Sequence, residues 1–192
     1  MAAGVFDIRC SVVVLRKHAV LLLHRTRDGL DDWVLPGGTP REDESAAACA
    51  RRELLEEAGV SANPSQVALV VESAVLGSGR RLLDVVFVAT DPGLGREVAR
   101  EPGLEPCFVP QDRLSGLVLH PPVAAHLIRL LDPGAGQFAH YVGNVQGTRS
   151  SPEPQALQAP RDQWRPGPDG LGCHDGCGRR YMADGRLGCR RR

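Results

Sequence analysis

A chain of 192 residues, 42% hydrophobic and 24% charged, has the length to bury one good-sized core. No apolar run approaches the ~18 residues of a membrane span, and the N-terminus MAAGVFDIRC lacks a basic region followed by an apolar core, so a cytoplasmic location is expected. The net charge of +0 hides net −4 over residues 1–145 (14 basic, 18 acidic) against net +4 over residues 146–192 (9 basic, 5 acidic); neither half argues for a nucleic-acid polymer or a membrane surface as partner.

Residues 8–15 (IRCSVVVL) and 19–24 (AVLLLH) predict two strands joined by a tight turn at Arg16, Lys17 and His18. Arg25 and Arg27 follow the second strand and lead into a loop, DGLDD, ahead of Trp33; His24 reads as a partly buried polar residue. Cys10, Cys49 and Cys107 lie among apolar neighbours, the usual setting of buried free thiols.

Past the glycine pair Gly37 and Gly38, residues 45–58 predict a helix, with Ser45 at its start and Gly59 where a left-handed residue commonly ends one. At ~100° per residue, Glu53, Glu56 and Glu57 fall on one side, and Ala47, Ala50, Leu54 and Ala58 on the flank beside them. Three crowded carboxylates repel one another by a few tenths of a kcal/mol per pair, so a cation should compensate. Arg52, one turn before Glu56, can pair with it, and oxygen ligands without nearby Cys or His suit a hard ion such as Mg²⁺. Taken alone, an E-x-x-E-E helix reads as a solvated acidic face. The spacing around it overturns that reading.

Residues 67–76 and 82–90 predict a hairpin, residues 107–110 a short strand after a turn-rich loop, and residues 122–131 a second helix with Pro122 in its first turn. Residues 146–192 contain 8 Gly, 5 Pro and little aliphatic periodicity, so a domain over residues 1–145 and a mostly disordered tail are expected. Within the tail, Cys173, His174, Cys177 and Cys189 offer a Cys3His set whose spacing suits zinc poorly.

Residues 38–60 resemble the Nudix box, GX5EX7REUXEEXGU with U aliphatic: Gly38, Glu44, Arg52, Glu53, Leu54, Glu56, Glu57, Gly59 and Val60 all fit, and WVLPGG at residues 33–38 is similar to the family's lead-in. The resemblance implies an α/β fold, the Nudix α/β/α sandwich with a mixed sheet between helices. It also implies hydrolysis of a nucleoside diphosphate linked to another moiety, through attack of metal-positioned water on phosphorus.

On that resemblance Glu53, Glu56 and Glu57 hold Mg²⁺ (with Mn²⁺ as a substitute), joined by the Gly38 carbonyl and Glu44. Glu56, Glu57 or Glu105 takes the proton, with Glu101 behind Glu105, and Arg52 orients. Glu105 enters because it stands three residues before Phe108-Val109-Pro110, where many relatives carry a glutamate base. Arg25 resembles the family's strand-end arginine near substrate phosphate, and Arg27, Gly37 and Gly38 join it as substrate contacts.

The family's ADP-ribose marker, a proline ~15 residues past the box, is replaced by Val75, and its dinucleoside polyphosphate marker, a tyrosine slightly further on, by Leu76, Gly77 and Ser78. A MutT-like (deoxy)nucleoside triphosphate pyrophosphohydrolase is therefore expected. A nucleotide-sugar, ADP-ribose or dinucleotide pyrophosphatase and a non-catalytic nucleotide sensor are the alternatives. The partner is a small-molecule nucleotide, and a homodimer is left open.

Overall fold

In a computed structural model the described residues are 6–27, 30–75, 80–90, 101–132, 134 and 140–145, together with the backbone of four residue pairs in the tail. Strand β1 (Phe6–Arg16) turns at Lys17, whose φ of 52° is left-handed, into β2 (Ala19–Arg27), as the pattern predicts. After β3 (Leu30–Val34) and the two-residue β4 (Gly37–Gly38) comes helix α1 (Ala46–Ala58). The predicted hairpin is β5 (Gln66–Val75) and β6 (Arg80–Thr90). Then follow β7 (Leu104–Pro110), a 3-10 turn (Gln111–Gly116), β8 (Leu119–His120), helix α2 (Ala124–Leu130) and β9 (His140–Asn144).

Among the described residues nine strands form one mixed sheet in the order β8-β3-β2-β1-β6-β5-β9, with β4 added to β1 and β7 to β2. β1 runs parallel to β6, β3 to β8 and β5 to β9, while the other pairs are antiparallel. Residues 10–14 of β1 are all buried, and because successive side chains point to opposite faces, both faces must be covered. Cys10, Val12 and Val14 pack with Ala50, Leu54 and Ala58 of α1 on one face. Val13, Leu22 and Leu69 pack with Leu114, Val123 and Leu127 around α2 on the other. The sheet between helices is the predicted α/β/α architecture.

β3 is a departure, since residues 28–32 were expected to form a loop. Two adjacent aspartates disfavour a strand on propensity, but each acquires a partner across the ladder. Arg25 donates to both oxygens of Asp32 at 2.8 and 2.6 Å, and Thr26 Oγ1 donates to Asp31 at 2.8 Å. Cys107 is a second departure. It is disulfide-bonded, with a partner outside the described residues, whereas Cys10 and Cys49 are the buried free thiols expected.

In the tail, Arg165–Pro166, Cys173–His174, Arg180–Tyr181 and Leu187–Gly188 are β10 to β13, a separate antiparallel sheet in that order. The remainder of the expected disorder, and the side chains of the candidate zinc set, lie outside the described residues. No described helix is long and apolar enough to cross a membrane.

Candidate active site

The site forms where α1 meets β4. Ser45 is extended (φ −69°, ψ 153°), and its hydroxyl accepts the Ala48 N–H at 3.2 Å, satisfying one of the unpaired donors of the first turn. Gly59 closes the helix at φ 68° with its N–H on the Leu55 carbonyl. Between these caps the spacing of the sequence fixes which side chains face β4.

The two glycines are there because other atoms need the space. A Cβ on Gly37 would stand 2.5 Å from the Cys10 carbonyl oxygen, inside the β1 backbone against which Gly37 pairs. A Cβ on Gly38 would overlap the Glu53 carboxylate. The missing side chain of Gly38 is thus a cradle for Glu53, and Cys49 Sγ reaches the Gly38 carbonyl at 3.5 Å from below.

Arg52 is the hub. Nε and Nη2 fork onto both oxygens of Glu44 at 2.8 and 2.9 Å, while Nη1 donates to Glu53 at 2.6 Å and to Glu56 at 2.9 Å. Sequence spacing offered it Glu56 alone as a partner. The fork holds Glu44 well below the ordinary 4.5, at about 2, with the Arg41 backbone N–H adding to the effect, and the carboxylates push Arg52 up. Arg41 adds a second cation beside Glu56 at 3.4 Å. The expected charge crowding is thereby offset.

Glu57 stands apart from that network. Buried at the junction of α1 and β4, it accepts the Gly37 N–H on Oε2 at 2.9 Å, and among the described residues no donor reaches its other oxygen. Burial pushes its carboxyl from 4.5 up to about 7; the Gly37 N–H and Arg9 pull it down, and Glu53 and Glu101 push it further up. Such a group exchanges a proton near neutrality, as a general base requires.

Glu105 does not join this cluster. On β7, Leu104 and Phe108 pack toward the α1 side and Cys107 and Val109 toward the other, so alternation turns Glu105 away from α1. There it lies opposite His24, with 3.8 Å between Oε2 and Nδ1. Glu101, the second-ranked loop acid, is the one close enough to act on Glu57.

Arg25 is on the α1 side, committed through Nε and Nη2 to Asp32, while Glu57 reaches it electrostatically. The Arg27 side chain lies outside the described residues. His24 is a buried polar residue, its ring tilted at 42° to that of Trp33 with 4.8 Å between centroids. Sequence reasoning missed Arg9, Ser11, Arg41 and Asp84; only Arg41, just ahead of the helix, carried a local signal.

The donor set is all oxygen, with a cradle at Gly38 and an unclaimed Glu57 oxygen, which suits a hard divalent ion. Glu44, Glu53 and Glu56 are turned onto Arg52, and among the described residues no three His, Cys, Asp or Glu side chains converge as a metal cage.

A family model described as "NUDIX domain" matches residues 6–131. No curated protein matches the chain. Among solved structures, a MutT NUDIX hydrolase from Burkholderia pseudomallei is 23% identical over 57% of this chain and 86% of that one, at a TM-score of 0.51. A MutT protein from Methanosarcina mazei is 21% identical over 67% and 95%, at 0.57. An ADP-ribose pyrophosphatase from Streptococcus suis is 21% identical over 72% and 97%, at 0.50. At these identities the structural likeness shows the fold alone.

Proposed function

Because the chain belongs to the NUDIX family of hydrolases, we propose that it cleaves a nucleoside diphosphate linked to another moiety, with a (deoxy)nucleoside triphosphate cut to monophosphate and pyrophosphate as the first substrate. One observation carries the reading: Arg52 gathers Glu44, Glu53 and Glu56 beside the glycine pair of β4, where Glu53 fills the space over Gly38 and Glu57 accepts the Gly37 N–H. A structural helix has no use for so much like charge on one side.

Glu53, Glu56, Glu57 and the Gly38 carbonyl would hold a divalent ion, with Glu44 completing the set. Mg²⁺, or Mn²⁺ in its place, would supply charge neutralisation on the diphosphate and polarisation of the phosphorus. Arg52 keeps Glu44, Glu53 and Glu56 in place when no ion is bound. Glu57, whose second oxygen has no donor among the described residues, would accept the proton of the attacking water. Arg25, with Nη1 unclaimed among the described residues, offers a phosphate contact at the neighbouring strand end.

The test is turnover with Mg²⁺ over a panel of nucleoside triphosphates, nucleotide sugars including ADP-ribose, and dinucleoside polyphosphates. Monophosphate plus pyrophosphate from a triphosphate is the expected result. Preferential cleavage of ADP-ribose or a dinucleotide would move the substrate class, and binding without cleavage would make the protein a sensor. Glu53→Gln and Glu56→Gln should lower turnover ~100-fold or more, because each removes charge from the ion that stabilises the transition state. Asp112→Asn, on the exposed 3-10 turn, is the control and should leave the rate unchanged.

A further inference from the structure

Across the sheet from α1, a buried acid stands directly opposite an arginine. Asp84 of β6 is level with Arg9 of the parallel strand β1, and it is 1% exposed. Ser11 Oγ donates to Asp84 Oδ2 at 2.9 Å, and Arg9 Nε lies 3.8 Å from the same oxygen; Asp84 Oδ1 has no partner among the described residues. Burial pushes this carboxyl up while Arg9 and Ser11 draw it down. A carboxylate left this incompletely satisfied costs stability, and an apolar or amide side chain of similar size would cost less.

What the acid holds is the Arg9 fork. Nε donates to Ser11 Oγ at 3.1 Å, and Nη2 donates to the carbonyl of Leu35 at 3.1 Å. Leu35 begins the short segment that ends in the glycine pair. Two residues on, Gly37 directs its N–H at Glu57; one residue further, Gly38 makes room for Glu53. The chain of contacts runs from a core acid on β6, through Ser11 and Arg9, to the backbone that presents the carboxylates.

We propose that Arg9, Ser11 and Asp84 are positioning residues: the buried acid orients the Arg9 guanidinium, which clamps the Leu35 carbonyl and so keeps the Gly37 N–H on Glu57. Their importance for turnover rests on the function proposed above. The clamp itself does not.

Two variants separate the links. Asp84→Asn retains an acceptor for Ser11 but removes the charge facing Arg9. Arg9→Lys keeps the charge and cannot bridge Ser11 and Leu35 at once. The measurement is amide hydrogen exchange on the full-length protein, comparing the Gly37 amide with amides inside α1. Exchange at Gly37 should rise at least about tenfold in either variant while α1 amides stay within about twofold. On any substrate that the wild type turns over, kcat should fall about tenfold with KM within about threefold, the pattern of a misplaced but intact site.

Unchanged Gly37 exchange would overturn the proposal, and so would equal acceleration of Gly37 and α1, which is what a general loss of stability produces. If the wild type hydrolyses nothing yet Gly37 exchange responds, the proposed function fails and the clamp stands. If the wild type is active and the exchange does not respond, the clamp alone fails. Should Asp84→Asn fail to fold, Arg9→Lys decides the same comparison.

Discussion

Glu57 and Glu44 belong to one motif and are driven in opposite directions, so their contributions to stability have opposite pH dependence. In the metal-free protein the Glu57 carboxyl is raised to about 7 from 4.5. Folded and unfolded chains both hold this proton below pH 4.5. Between there and 7 only the folded chain does, so this residue's contribution falls as pH rises and remains at its low value above 7. Glu57→Gln removes the titration and keeps an acceptor for Gly37. Denaturant unfolding in EDTA should find it equal to wild type near pH 4 and more stable by on the order of 3 kcal/mol at pH 8. Glu44, held at about 2 by Arg52, contributes stability above pH 4.5 that is lost as pH falls toward 2. Glu44→Gln should therefore be less stable than wild type at neutral pH, with a gap that narrows toward pH 3. Arg52, Glu53, Glu56 and Glu57 were legible in the sequence because helix periodicity fixes their relative placement, whereas Glu44, ahead of the helix, entered only through the family resemblance. Ser11 and Asp84 were not: they are 73 residues apart and meet only through the register of a parallel strand pair.

β4 is two residues long, and its glycines have different neighbours, so they should respond differently to the same substitution. Gly37→Ala drives a methyl into the backbone of β1, which cannot yield without shifting the strand. Gly38→Ala meets the tip of the Glu53 side chain, which can swing away. Thermal melts should show Gly37→Ala losing several degrees or failing to fold, and Gly38→Ala within about 3 °C of wild type, since 1 kcal/mol moves a domain of this size by about 2–4 °C. Turnover should fall in both, most informatively in Gly38→Ala, where a stable protein has lost the Glu53 cradle. Loss of activity in proportion to loss of folded protein would leave Gly38 without a role of its own. At this scale the sequence read well where punctuation was local: Ser45 and Gly59 cap α1 as their types imply, and β5 and β6 pair antiparallel as expected. β3 was hidden because Asp31 and Asp32 take their partners from β2, and β9 because five residues with one glycine carry little periodicity of their own.

For the whole molecule, the question is where the chain stops contributing to the core. The sheet between two helices was implied by the family resemblance, but its last strand was not foreseen, and that strand decides the answer. β9 lies along the edge of β5, with Val142 buried in the α2-side cluster, Tyr141 donating to Glu72 at 2.7 Å, and the Val145 N–H on the Glu72 carbonyl at 2.8 Å. Two truncations test this under reducing conditions, where the disulfide of Cys107 is open throughout. Ending the chain after Val145 retains β9 and every contact just named, so the melting temperature should stay within about 2 °C of full length and turnover should be unchanged. Ending it after Asp132 removes β9, uncovers the β5 edge and leaves Glu72, itself buried and paired with Arg81, without Tyr141. That cut should cost about 2–4 kcal/mol, from one buried valine and the lost hydrogen bonds, and lower the melting temperature by ~5–15 °C. The helix carboxylates lie toward the other side of the sheet order, across β1, so turnover per folded molecule should survive it. Equal effects from the two cuts would mean that residues 146–192 contribute to the fold of the domain, and that its boundary falls beyond Val145.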